Sequence, residues 1–256
     1  MVLSMNRWKE KIAIVTGASS GIGAAITLSL LKEGLIVVGF ARRIEKIQEL
    51  STSKNLHAIK VDITKEEEIL QAFKWIKDNL GPIHILINNA GIGRVTSLID
   101  GKTELWKDVL DTNVMGLCVA TREGVKVMRE NKVDGHIIHI NSIAGHRVFN
   151  VPNTNVLAAS KFAVTALTET LRLELNSIQS KIKISSVSPG IVKTDAIAAA
   201  CRASDPSEAV MDYLHSIKGI PSLSPEDVAE AVVYVLSTPP HVQIHELIIK
   251  PVGELF

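Results

Sequence analysis

Thr16-Gly17-Ala18-Ser19-Ser20-Gly21-Ile22-Gly23 decides the fold. It follows a short apolar run, Ile12-Ala13-Ile14-Val15, and precedes a stretch with helical periodicity that stops at Gly34. Glycines at a strand-to-helix junction allow a tight turn and let the backbone approach a pyrophosphate. The helix N-terminus adds unpaired N–H groups and partial positive charge. The spacing is G-x-x-x-G-x-G rather than the more familiar G-x-G-x-x-G, so the place between strand and helix carries the signal. Gly17, Ser19, Ser20, Gly21, Ile22 and Gly23 are therefore candidate phosphate-binding residues.

Working outward, short β-branched runs alternate with longer helical stretches. After Ile12–Val15 come Ile36–Phe40, His57–Val61, Ile83–Ile87, Ile137–Ile140, Ile182–Val187 and Ile244–Ile249. Helical periodicity covers Gly23 to Gly34 and about 66–79, 104–130, 156–178 and 225–236. Ser224, Pro225 and Asp227 open the last of these as N-cap, first helical position and N3. Glu66-Glu67-Glu68 forms an acidic first turn. Strands alternating with helices predict βαβ units: an α/β, Rossmann-like, doubly wound parallel sheet of about seven strands, covered on both faces. No repeat or Pro/Ser-rich linker divides the chain, so 1–256 reads as a single domain. The least regular segment, 195–221, follows the sixth strand and reads either as a cover over the crevice or as a surface excursion.

Composition narrows the function classes. Hydrophobic residues make up 46% and charged residues 21% of 256, an ordinary globular mix. A net charge of +1 offers nothing to nucleic acid or an anionic membrane. No apolar run is long enough to span a bilayer. Cys118 and Cys201 have no metal-ligand spacing, so no metal is expected, and a reduced, cytoplasmic protein is the simple reading.

The turn after the second strand is Ala41-Arg42-Arg43, with no carboxylate at the strand end. An acid there suits the ribose 2′-hydroxyl of NAD, whereas arginine accommodates the 2′-phosphate of NADP. Arg42 and Arg43 thus point to NADP; the alternative is a solvated basic turn opening a helix. For Asp62, at the end of the third strand beside Ile63, two readings stand: a contact to adenine, or a cap on the next helix.

With these pieces placed, the chain resembles the short-chain dehydrogenase/reductase family over nearly its whole length. The matching motifs are the glycine turn, Asn88-Asn89-Ala90-Gly91, Asp111-Thr112-Asn113-Val114, Asn141-Ser142-Ile143-Ala144-Gly145, Lys161, and Ser188-Pro189-Gly190-Ile191-Val192-Lys193-Thr194. Arg7-Trp8, Gly145-His146-Arg147-Val148 and Val235-Leu236-Ser237-Thr238-Pro239 resemble an animal branch that includes insect farnesol dehydrogenases. The resemblance implies a cofactor site that includes Asn89, Ala90 and Gly91 near the adenosine ribose. It puts Pro189, Gly190, Ile191 and Thr194 beside the nicotinamide, and Lys161 on the nicotinamide ribose. It implies catalytic roles for Asn113, holding a water at a helix kink, for Ser142, bonding the substrate oxygen, and for Lys161. It also implies pairing through 104–130 and 156–178 into a homodimer or homotetramer.

One position departs from the pattern. Leu157-Ala158-Ala159-Ser160-Lys161 resembles the family's Tyr-x-x-x-Lys motif with leucine in the tyrosine's place. Leu157 and Lys161 share a helix face, so the ammonium stands in place with no phenol to tune. Two functions follow. One is an NADP-dependent oxidoreductase on a small apolar alcohol or carbonyl compound, terpenoid- or steroid-like. The other is a catalytically silent NADP-binding protein. Retention of Asn113, Ser142 and Lys161 favours the first and Leu157 the second. The tyrosines are Tyr213 and Tyr234, with Tyr234 expected in a structural helix and Tyr213 in the irregular segment.

Overall fold

The computed structural model describes residues 3–150, 155–195, 199–200 and 219–254. Its strands are β1 (Ile12–Thr16), β2 (Ile36–Ala41), β3 (Leu56–Lys60), β4 (Ile83–Asn88), β5 (His136–Ile140), β6 (Lys183–Pro189) and β7 (Glu246–Ile249). They form one sheet in the order β3-β2-β1-β4-β5-β6-β7. Every adjacent pair is parallel. The main helices are α1 (Gly21–Lys32), α2 (Ile44–Gln48), α3 (Glu66–Asn79), α4 (Thr103–Leu110), α5 (Gly116–Glu130), α6 (Asn155–Ser177) and α7 (Pro225–Ser237). All seven expected strands are present, with ends shifted by a residue or two.

Successive side chains on a strand point to opposite faces, so a strand covered on both sides is largely apolar. Ala13 and Val15 of β1 join a cluster with Ile26 and Leu30 of α1 and Val228, Val232 and Val235 of α7. Ile12 and Ile14 join the opposite cluster, with Ile69, Phe73 and Ile76 of α3 and Val127 and Met128 of α5. Phe40 and Phe73 meet edge-on there, with ring centroids 6.0 Å apart.

The helix ends follow their sequence signals. α1 stops where Gly34 takes φ +84°; its N–H bonds Leu31 O at 3.0 Å, and Leu35 N–H reaches Leu30 O at 3.1 Å, a Schellman closure. α7 starts with a capping box: Ser224 Oγ accepts from Asp227 N–H, and Asp227 accepts from Ser224 N–H. Its last turn is held by the Arg7-Trp8 pair, since Leu236 O accepts from Trp8 Nε1 at 2.8 Å and from Arg7 Nη2 at 3.0 Å.

The helix expected over 104–130 is interrupted at the place where the resemblance implies a kink: α4 passes through a π-helical turn, Asp111–Met115, into α5. The reason is Asn113, whose side chain turns onto the Ile92 peptide, accepting its N–H at 2.8 Å and donating to its C=O at 3.0 Å. The short helix α2, with Ile47 buried, opens directly after the basic turn; five residues carry too little periodicity to stand out as an amphipathic stretch. Most of the irregular segment 195–221, including Tyr213, lies outside the described residues. Its roots are joined by a parallel bridge between Val192 and Leu223. Lys193 N–H donates to Leu223 O and Leu223 N–H to Ile191 O, both at 2.8 Å.

Candidate active site

Strand order reverses between β1 and β4. Ligands of doubly wound sheets bind beyond the carboxyl ends of the strands at such a switch point. The glycine turn leaves β1 there, with Gly17 at φ +68° and Gly21 at φ +53°. A Cβ on Gly23 would lie 2.3 Å from Gly17 O and 2.5 Å from Asn89 Nδ2, so the turn closes only around a bare α-carbon. Thr16 ties it to β4: its Oγ1 accepts from Asn89 N–H at 3.0 Å and Ala90 N–H at 2.9 Å. Asn89 donates its amide to Thr16 O at 2.8 Å, so this side chain braces the turn. A Cβ on Gly21 would meet Thr194 Cγ2 at 3.2 Å. The phosphate turn and the segment after β6 therefore face each other across the crevice. The residues fit a dinucleotide: a glycine cradle and an α1 N-terminus at the switch point, with the segment after β6 beside them.

Arg42 and Arg43 are exposed just past β2. Asp62 does not cap the next helix, since Lys65 is the N-cap of α3 and no side chain bonds there; it closes a local turn instead. Its Oδ1 accepts from Thr64 N–H at 3.0 Å and Thr64 Oγ1–H at 2.8 Å. Burial is the largest influence on Asp62 and opposes ionisation. The Thr64 hydrogen bonds and the nearby charges of Arg42 and Lys65 outweigh it, holding the carboxyl below its ordinary range. Ile63 packs against the start of α5, where a Cβ on Gly116 would lie 2.6 Å from Ile63 O.

At the other end of the crevice, Ser142 follows β5 and caps a single 3-10 turn, Ile143–Gly145. Its Oγ accepts from Ala144 N–H at 3.1 Å, and its own O–H makes no hydrogen bond among the described residues. Gly145 sits where a Cβ would lie 2.7 Å from Lys161 O, and Thr165 Oγ1 donates to Gly145 O at 2.9 Å. Together these contacts hold the Ser142 turn on α6. Lys161 Nζ donates to Ile140 O at 2.9 Å, and burial pushes its pKa down to about 8. Ser142 and Lys161 thus both stand at the end of β5.

Asn113 is buried, and its amide is fully engaged. Besides the Ile92 peptide, Nδ2 donates to Ser160 Oγ at 3.0 Å, and Ser160 donates to Leu157 O at 2.7 Å. This chain links the π turn to the start of α6 and orients Leu157 through its carbonyl. The Leu157 side chain faces the glycine segment after β4: a Cβ on Gly93 would lie 3.8 Å from Leu157 Cδ2 and 3.5 Å from Ala200 Cβ. That wall of the crevice is apolar.

Three arrangements escaped sequence reasoning. Asn88 Nδ2 donates to Thr121 Oγ1 at 2.8 Å; Thr121 and Thr168 flank His139 at 3.3 Å on Nε2 and 2.9 Å on Nδ1; Thr168 donates to Val164 O. Because Thr168 already donates, its oxygen must accept from His139 Nδ1–H, and Nε2 accepts from Thr121. Burial, then the charge of Lys161, pushes His139 down to about 3. His146 Nε2 lies 3.0 Å from Ser188 Oγ and 3.6 Å from Glu246 Oε1, joining the ends of β5, β6 and β7. Glu254 bonds the Ile191 peptide N–H. Asn88, His146 and Ser188 stand in motifs the sequence shows, as Ser160 stands inside the Leu157–Lys161 motif, but the contacts they make carry no signal there.

Residues 11–204 match the family model described as short chain dehydrogenase. The chain belongs to the short-chain dehydrogenase family. It is 49% identical to a farnesol dehydrogenase of Aedes aegypti, covering 98% of this chain and 100% of that one. It is 43% identical to human dehydrogenase/reductase SDR family member 11, covering 98% of each. Among solved structures it superposes on the closed form of serine dehydrogenase complexed with NADP+ with a TM-score of 0.86, at 30% identity and 96% coverage of both chains. These oxidoreductase relatives place the chain in the animal branch of the short-chain dehydrogenases and lend nothing to the catalytically silent alternative.

Proposed function

We propose that the chain is an NADP-dependent oxidoreductase that interconverts an apolar alcohol and its carbonyl compound. The observation that carries the reading is the glycine cradle with a basic pair, and no acid, behind β2. The NADP+ complex of the serine dehydrogenase relative supports it. The farnesol dehydrogenase relative supports a terpenoid-like substrate, as do the apolar contacts of Leu157. When bound, the nicotinamide supplies or accepts the hydride. Gly17, Ser19, Ser20, Gly21, Ile22 and Gly23 hold the pyrophosphate, Arg42 and Arg43 the 2′-phosphate, and Pro189, Gly190, Ile191 and Thr194 the nicotinamide end. Asn89 and Asp62 support this site from behind. Ser142 O–H bonds the substrate oxygen, and Lys161, with its pKa near 8, holds the proton that no phenol is there to deliver. Asn113 positions α6 against this pair.

Titration with NADPH and NADH tests the assignment. NADPH binds more tightly, and the Arg42→Ala/Arg43→Ala double variant loses roughly 10–100-fold in NADPH affinity while NADH affinity stays put. Equal affinity for both dinucleotides in the parent chain removes the basic pair from the argument. We also propose a homodimer or homotetramer built on α5 and α6, whose outer groove includes Leu117, Val125, Leu167 and Leu171 and where Phe162 and Leu173 are exposed. A monomer on sizing at micromolar concentration refutes the assembly.

A further inference from the structure

Beyond β7 the chain turns back over Lys250–Glu254 and lays a carboxylate into the wall of the crevice. The Glu254 side chain is wholly buried. Its Oε2 accepts the Ile191 N–H at 3.3 Å, and its Oε1 lies 3.3 Å from Lys250 Nζ. A Cβ on Gly190 would lie 2.2 Å from Oε2, so glycine alone at 190 admits the carboxylate. Gly190 N–H donates to Ile249 O at 2.8 Å, which fixes this peptide beside the turn. Gly253, at φ +86°, packs on the other root of the irregular segment: a Cβ there would meet Pro221 Cγ at 3.5 Å. The turn therefore touches both sides of the Val192–Leu223 bridge.

Carboxylates are rarely buried without partners, and among the described residues Glu254 meets an ammonium and one peptide N–H. That N–H belongs to the segment assigned above to the nicotinamide end, and the inference rests on that assignment. A nicotinamide carboxamide presents an acceptor oxygen, and a backbone N–H is its natural donor. We propose that Glu254 is an internal ligand of the nicotinamide subsite. Its carboxylate occupies the Ile191 N–H that the carboxamide oxygen takes, and it yields when the nicotinamide half seats. Glu254 thereby sets affinity for the nicotinamide half of the dinucleotide and leaves the adenosine half untouched.

Fluorescence or calorimetric titration of the full chain separates the two halves, using NADPH as one probe and adenosine 2′,5′-bisphosphate, which lacks the nicotinamide, as the other. Glu254→Ala releases the donor and tightens NADPH binding by about tenfold, with bisphosphate affinity unchanged. Glu254→Gln keeps the size and an acceptor oxygen but loses the charge; it tightens NADPH by roughly threefold and serves if the alanine variant fails to fold. Unchanged or weaker NADPH binding in the folded variants overturns the proposal. So does a parallel change for both probes, which marks a general disturbance of the fold. A parent chain that binds both probes while the variants are indifferent sinks this inference alone. A parent that binds neither sinks the dinucleotide reading and this one with it.

Discussion

At the phosphate end of the crevice, shape is set by backbone: Gly17, Gly21 and Gly23 leave no room for side chains, and Asn89 and Thr16 brace the turn from β4. At the reaction end it is set by side chains, namely Ser142, Lys161, Asn113, Ser160 and the apolar Leu157. Backbone constraints leave a glycine signature that any reader of the sequence can find. Side-chain chemistry depends on single atoms, and one substitution changes it without disturbing the scaffold. Leu157 makes that contrast concrete, since its helix and its neighbours are all in place while the phenol is not.

The largest test of the contrast is Leu157→Tyr. If the scaffold is intact, restoring a general acid beside Lys161 raises NADPH-dependent carbonyl reduction by about 10²–10⁴-fold, read as kcat/KM over a panel of terpenoid and steroid carbonyls. A revertant no faster than the parent shows that more than one atom has been lost at this end.

Gly23→Ala strikes the other end. The added methyl would collide with Gly17 O, and overpacking costs about 1–3 kcal/mol, so denaturant unfolding shifts by that amount and NADPH binding weakens. A fully stable alanine variant with normal affinity means the turn is looser than its geometry.

A smaller effect concerns the core beneath the reaction end. His139 is held at about 3 against an ordinary histidine near 6.5, and His136, buried with Lys183 and Arg7 nearby, is held well below it too. Below pH 6.5 the unfolded chain takes up protons that the folded chain refuses. The stability these two groups provide is complete above pH 6.5 and declines as the pH falls toward their folded values. Each contributes a slope of about 1.4 kcal/mol per pH unit. Unfolding free energies measured at pH 7, 6 and 5 therefore drop steeply, and His139→Leu removes about half of that slope. A flat profile would place solvent at both rings.

The smallest change is expected far from either end. Lys74 and Asp78 pair at 2.6 Å on the surface of α3, both largely exposed; Asp78→Asn alters stability by less than about 0.5 kcal/mol. A larger loss means that surface charge, not the crevice, governs this fold.

The sheet was legible because strands buried on both faces are largely apolar: β1 reads as an unbroken run, and β4 and β5 keep enough isoleucine to show around His84, His136 and His139. The crevice was legible through its glycines and through motif order. Asp62 has two readings in the sequence, since an aspartate after a strand looks the same whether it meets a ligand or caps a helix; its Thr64 contacts close a turn and cap nothing. The His139 chain and Glu254 were invisible. The threonines beside His139 lie 18 and 29 residues away in sequence and the peptide that Glu254 meets lies 63 away, and histidine at a strand interior or glutamate after a strand carries no periodic or capping signal.

The π-helical turn at Asp111–Met115 has a consequence for the whole helix. One extra residue in a turn rotates everything beyond it by about 100° about the axis. Thus α4 and α5, nearly collinear in sequence, present their apolar stripes in different directions: α4 lies against α6, while α5 seats Gly124 on Leu86 of the sheet. Removing a single residue here would straighten the rod and swing one of those stripes toward water.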